Sequence, residues 1–360
     1  MCTGAVNSLP FWLVVVVFVA AAAVVWVAGI QLSKTTDVLD ARWHIGSAFG
    51  GLIILAVATN LPEIAITVSA AAAGNLGVAV GNILGGIALQ TVVLVVLDAF
   101  GRRGRGVKPL TYRAASLVLV LEGLVVVAVL AAVVAGSQLP EGLVALRLTP
   151  DVVLITALWI AGLLLVQRAG RHLPWSGSGT VDDASPHTPG HRRSKPQHPH
   201  KSRPTWLVVT IFLVAAAATL GAGVVLERAG DAIAEDIGLS GVLFGATFLA
   251  LATSLPEIST GLQAIRQGDD NLAMSDIFGG NAFLPVLFLV ATVISGQAVL
   301  PRAGATDIYL TALAALLTLV YVVGLIFRPS RRILGMGVDS LTVLVLYAVG
   351  VAGLFAVASG

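Results

Sequence analysis

Apolar residues in this 360-residue chain come in long blocks rather than in amphipathic stripes. A helix needs about 20 consecutive apolar residues to cross the hydrocarbon core of a bilayer. Runs of that size occur at about 10–33, 46–73, 78–99, 111–135, 148–168, 205–227, 239–266, 272–297, 304–327 and 334–358. The pattern predicts ten transmembrane helices. The stretch 169–204 differs in kind, being rich in Pro, Gly, Ser, His and basic residues. Too little of it is apolar to pack a core, so it reads as a disordered linker. It separates one five-helix unit, 1–168, from another, 205–360. An odd number of spans per unit makes the second enter the membrane from the opposite side, the inverted-repeat plan of many secondary transporters.

Composition agrees with an all-α polytopic membrane protein. Hydrophobic residues make up 57% of the chain and charged residues 11%, against about 25% charged in soluble domains, and the mean hydropathy is +0.95. No water-facing enzyme domain fits into such a chain. The net charge of +2 does not point to nucleic acid, because the basic residues lie between apolar runs. Their placement instead orients the chain in its bilayer. With both termini outside, 18 Lys and Arg fall in cytoplasmic segments, the linker included, and only Arg147, Arg228 and Arg302 outside. The expected setting is a prokaryotic plasma membrane. The single cysteine, Cys2, cannot form an internal disulfide. The first apolar run lacks a basic n-region and is too long for a cleaved signal, so it reads as a retained helix.

Two of the apolar runs carry the same word near their middle. Ala58-Thr59-Asn60-Leu61-Pro62-Glu63-Ile64-Ala65 recurs as Ala252-Thr253-Ser254-Leu255-Pro256-Glu257-Ile258-Ser259. An acid at that depth costs several kcal/mol unless compensated, and is a functional-site hypothesis by default. The spacing of 194 between Glu63 and Glu257 also pairs Asp37 with Asp231, Gly51 with Gly245, Gly74 with Gly268, and Gly85-Gly86 with Gly279-Gly280. Thr and Glu four apart share a helical face. A proline in the run frees a carbonyl about one turn earlier, near Ala58 and Ala252. Carboxylate, hydroxyl and carbonyl oxygens suit a hard cation such as Ca²⁺ or Na⁺. Asn60-x-x-Glu63 and Ser254-x-x-Glu257 also fit a capping box that restarts a broken helix. The two readings are compatible. Gly81-Asn82-Ile83-Leu84-Gly85-Gly86 and Ser275-Asp276-Ile277-Phe278-Gly279-Gly280-Asn281 follow, and their glycines allow close helix packing. Gln90, one turn past Gly86, is placed to face the site; its counterpart is Leu284.

The duplicated Leu-Pro-Glu words, each followed about 20 residues on by a glycine-rich segment, resemble the sodium/calcium exchanger branch of the calcium/cation antiporter superfamily. The resemblance spans both units, the ten-helix plan, the outside termini and the cytoplasmic middle loop. It implies that Thr59, Glu63, Thr253 and Glu257 form a central Ca²⁺ site, with Asn60 and Ser254 along the ion path. It also implies an antiporter with no bound cofactor, exchanging Ca²⁺ or a related divalent cation for Na⁺ or H⁺. The chain departs from the family where flanking Na⁺ ligands are expected: Gly86 and Gly280 stand for serines, and Gln90 and Leu284 for Asn or Asp. Coupling to H⁺, or to fewer Na⁺, is therefore the expectation.

Other chemistry is weaker. Glu122, inside the fourth run, has Leu316 as its counterpart and reads as a paired structural acid or a proton-linked one. His187, His191, His198 and His200 sit in the linker, where a solvated segment is the simpler reading than a metal sensor. Arg102, Arg103, Arg105 and Lys108 read as a topology determinant at the anionic leaflet. No histidine lies deep in an apolar run, His44 being at an edge, which argues against an intramembrane metalloenzyme. A cation channel using the same paired site remains the alternative to an antiporter.

Overall fold

The computed structural model describes residues 10–43, 59–102, 104, 106–171, 204–239 and 244–359. The linker histidines, Gly51, Ala58 and His44 lie outside the described residues, as does the first half of the second predicted span. In the first unit the helices are α1 (Phe11–Trp43), α2 (Leu61–Ala73), α3 (Leu76–Phe100), a single turn α4 (Leu110–Arg113), α5 (Leu117–Gly136) and α6 (Pro150–Arg171). In the second they are α7 (Thr205–Asp236), α8 (Ala250–Thr253), α9 (Leu255–Arg266), α10 (Asp270–Phe283), α11 (Leu287–Ser295), α12 (Ala305–Phe327) and α13 (Val338–Ser359). A two-residue hairpin, β1 (Arg332–Ile333) and β2 (Met336–Gly337), joins α12 to α13. Among the described residues, eight helical segments are long and apolar enough to cross a membrane, and Leu61–Ala73 is a shorter apolar one.

The differences from the pattern-based expectation have local causes. The fourth span starts at Leu117, not near 111, because Ser116 caps it: the Ser116 hydroxyl accepts from the Val118 N–H at 3.2 Å. The seventh span is not one helix. A π-helical turn, Gly245–Leu249, leads into α8, and a break at Ser254 separates α8 from α9. The eighth span is also divided. Pro285, which has no N–H to give, sits in a 3₁₀ turn, Leu284–Val286, between α10 and α11.

The layout is set by which helices are wrapped by protein. In α3 and in the Asp270–Ser295 segment, 72% of the most apolar window is buried; in Pro150–Gly170 it is 17%. Apolar burial gives no net gain between helices in lipid, so close packing and small residues must hold such a centre together. α3, α5, α10 and α12 share the largest core, with Leu84, Leu94, Val126, Phe278 and Leu317 inside it. α1 lies along α7 in a second cluster that includes Val25, Leu226 and Phe244. The pairings come in matched sets. α1 packs on α9 and α7 on α2; α3 packs on α12 and α10 on α5; α5 packs on α6 and α12 on α13.

Candidate functional site

Both acid-bearing words sit at helix breaks. Asn60 (φ −91°, ψ 15°) precedes α2, and Ser254 (φ −81°, ψ −1°) precedes α9. Pro62 and Pro256 fall in the first turn, where a missing N–H leaves no gap in the ladder. The capping box does not form. Neither Asn60 nor Ser254 makes a side-chain cap bond, and the Ser254 hydroxyl donates back to the Ala250 carbonyl at 2.8 Å. With that side-chain role absent, Glu63 and Glu257 do not serve as reciprocal caps and point elsewhere.

They point into the protein. Glu63, Thr253 and Ser254 have no exposed surface, Asn60 and Gln90 are 1% exposed, Glu257 3% and Thr59 5%. Gln90 Nε2 donates to Glu63 Oε1 at 3.4 Å. The Thr253 hydroxyl, bonded to the Ala250 carbonyl at 3.1 Å, also faces the Glu63 carboxylate. This contact crosses from one word to the other. The two carboxylates are near enough to repel directly, and Asp276 acts on Glu257 in the same way. Glu63 Oε2 has no hydrogen-bond partner, and neither Glu257 oxygen has one in another residue. Buried carboxylate oxygens without donors are rare in folded proteins and call for a reason. All seven residues singled out in the sequence are therefore buried, and Glu63, Gln90, Thr253 and Glu257 converge.

Glycines bring the breaks into contact with their neighbours. A Cβ on Gly280 would meet Asn60 Nδ2 at 3.3 Å and Gln90 Oε1 at 3.6 Å. One on Gly29 would meet the Pro256 ring at 2.7 Å, and one on Gly223 would meet Ala65 at 2.7 Å and the Pro62 carbonyl at 3.2 Å. Gly29 and Gly223 are 194 apart, so the repeat spacing could have found them, although no motif flags them. Asp276 belongs to the glycine-rich segment of α10, where close packing is the simpler reading. Its carboxylate accepts from Thr260 at 3.5 Å. Its counterpart Asn82 is fully buried with both amide atoms unpartnered. Asn281 donates to Thr91 at 3.1 Å. Glu122 lies apart from the breaks and accepts from Ser275 at 3.0 Å. Among the described residues no three His, Cys, Asp or Glu side chains gather as a metal cluster. Any cation at the breaks would meet two carboxylates plus neutral oxygens.

Interrupted helices with buried acids at the interruptions define a class: membrane carriers built on discontinuous spans. Within it, the chain belongs to the sodium/calcium exchanger protein family, which matches residues 13–169 and 206–356. CaxA of Alkalimonas amylolytica, named as an antiporter, is 29% identical over 285 residues, covering 78% of this chain and 81% of that one. The inner membrane protein YrbG of Escherichia coli K12 is 24% identical over 263 residues, covering 72% and 73%. The fold is also that of the sodium-calcium exchanger NCX_Mj, with a TM-score of 0.61 and 16% identity over 95% of this chain and 99% of the other. The H⁺/Ca²⁺ exchanger CAX gives a TM-score of 0.60 and 15% identity over 96% and 87%. The protein is thus a membrane-embedded member of a cation exchanger family.

Proposed function

We propose that the protein is a secondary active antiporter that exports Ca²⁺, or a related divalent cation, in exchange for Na⁺ or H⁺. The cation binds at mid-membrane between Glu63 and Glu257, with Thr59, Asn60, Gln90, Thr253 and Ser254 supplying neutral oxygens, and access alternates between the two sides. The observation that carries this reading is the convergence of two buried acids, one from each break, with carboxylate oxygens that no donor satisfies. Two carboxylates balance one divalent ion, two monovalent ions or two protons. That stoichiometric equivalence is what an exchange site requires.

The architecture proposed is ten spans in two inverted five-helix repeats, 1–168 and 205–360, joined by a cytoplasmic linker, 169–204, with both termini outside. Three matched features support it. The packing partners of α1, α3 and α5 repeat in those of α7, α10 and α12. Gly29 meets Pro256 as Gly223 meets Pro62. Gly136 packs on Asp151, and Gly324 on Asp339, at 2.6 Å from the added Cβ in each case.

Coupling separates the readings. Side-chain oxygens are absent at Gly86, Gly280 and Leu284, which favours weak dependence on Na⁺. Protons compete with the divalent ion for both carboxylates, so apparent affinity falls as pH falls. The test is Ca²⁺ flux into proteoliposomes under an imposed Na⁺ gradient, then under an imposed pH gradient. Flux driven by the pH gradient supports the reading. Steep, saturable Na⁺ dependence with a Hill coefficient well above one, and indifference to pH, overturns the coupling proposed. Flux that needs no counter-ion gradient identifies a channel instead.

A further inference from the structure

The basic connection between α3 and α4 plays no part in the exchange site, yet it forms one wall of a cleft of about 550 Å³. The other wall is the β1–β2 hairpin. Arg102, Lys108 and Arg332 line the cleft together with Gly104, Gly106 and Gly335, and among the described residues no acidic one does. All three glycines have positive φ, at 149°, 85° and 85°. Turns of that kind expose backbone N–H groups without a Cβ in the way, which is how anion-binding concavities are built.

Two nearby acids are already engaged, and a third, Asp339, is buried behind Gly337. Asp98 accepts from the N–H groups of Leu110 at 2.7 Å and Gly337 at 2.6 Å and from the Ser340 hydroxyl at 2.9 Å. Asp270 pairs with Arg113 at 2.9 Å and with Arg102 at 3.7 Å. Arg332 spends donors on the Asp98 and Gly335 carbonyls, but a guanidinium carries five. Lys108 is exposed, with its ammonium 5.3 Å from the Tyr112 ring centroid. The cleft therefore keeps a positive balance.

Its position says which anion. α3 and α12 end immediately beside it, at Phe100 and Phe327, and α13 begins there. Phe100 is 52% exposed and Phe327 78%, and the hairpin tip adds Ile333 at 44% and Leu334 at 81%. Exposed apolar side chains at the helix ends and hairpin tip that flank a cationic cleft suit a molecule with an anionic head and hydrocarbon tails. A free phosphate ion would gain nothing from them. We propose that this cleft binds the phosphate headgroup of an anionic phospholipid. Arg102 also donates to the Ile265 carbonyl at 3.3 Å, near the end of α9, the helix that Glu257 begins. The bound lipid would thus share a residue with the helix that carries one of the two site acids.

The experiment measures lipid retention on the full-length protein by native mass spectrometry, and its thermal midpoint in detergent, with added phosphatidylglycerol, phosphatidylcholine or inorganic phosphate. Neither readout depends on which cation is carried, so failure here is distinct from failure of the antiport reading. Preferential retention of phosphatidylglycerol, with a rise in midpoint that inorganic phosphate does not reproduce, is expected. Lys108→Gln and Arg102→Gln should each weaken retention about fivefold, the equivalent of one basic residue at an anionic surface. Lys108 is exposed and, among the described residues, in no ion pair, so its variant should fold as the wild type does even if Arg102→Gln does not. Equal retention of both lipids, unchanged retention in Lys108→Gln, or an equal effect of inorganic phosphate overturns the proposal.

Discussion

The two helix breaks share a word but not an environment. Beside Glu63, Gln90 supplies a donor at 3.4 Å and the Thr253 hydroxyl faces the carboxylate from the other break. Beside Glu257, the position that corresponds to Gln90 is Leu284, which offers nothing, and the neighbouring Asp276 adds a second negative charge. α3 runs unbroken from Leu76 to Phe100, while its counterpart is interrupted by the 3₁₀ turn at Pro285. One acid is thus held by a rigid, donor-bearing helix. The other stands against a jointed helix with no donor from another residue. A duplicated framework can place two acids at matching positions and still give them unequal surroundings, one held by donors and one without them.

The sharpest break of this comparison removes an acid from each side in turn. Glu63→Gln and Glu257→Gln should each lower Ca²⁺ transport in vesicles by about two orders of magnitude while the protein still inserts, since unpairing a buried charge costs about 3 kcal/mol. Wild-type uptake by either variant would end the two-acid assignment. A smaller effect is expected from the donors. Gln90→Leu, which makes the first half resemble the second, should weaken apparent Ca²⁺ affinity about tenfold, at roughly 1.5 kcal/mol for a hydrogen bond to a charged group. Leu284→Gln would supply the missing donor at the other break and should reduce the difference between the two glutamates in a paired Glu→Gln comparison. If neither substitution changes affinity, the inequality of the two acids has no functional weight.

The smallest effect tests where the halves are alike. Gly29→Ala and Gly223→Ala should each destabilise the protein by about 1–3 kcal/mol through overpacking, read as matching falls in thermal midpoint. A large fall in one and none in the other would show that the long helices meet the two breaks differently.

Much of this was legible in the chain. The apolar blocks located the eight long apolar helices found among the described residues, and the repeated word located both breaks, because an acid inside an apolar run has no camouflage. The joints inside spans were legible only in part. The π turn at Gly245–Leu249 lies in sequence where helical periodicity carries no signal; the 3₁₀ turn at Leu284–Val286 did carry one, Pro285 inside an apolar run. The contact of Thr253 with Glu63 could not be read either, since residues four apart suggest pairing within a word, and the cross-contact arises only when the halves assemble. Asp276 carries a weaker signal: it lies inside a glycine-rich packing segment, and its counterpart Asn82 is not an acid.

The spacing between matched residues changes along the chain. It is 194 from Gly29 through the glutamates to Gly85 and Gly86, but Gly136 and Asp151 recur 188 residues later as Gly324 and Asp339. The first unit is therefore longer between the end of α3 and the start of α5, and that stretch contains Arg102, Lys108 and Arg113. Two copies of one unit inserted in opposite senses would have no preferred way up, because each face would carry the same residues. A few additional positions on one face, occupied by arginine and lysine, remove that degeneracy. If the two units are inserted in opposite senses, this short stretch is the mark by which the nascent chain distinguishes its top from its bottom.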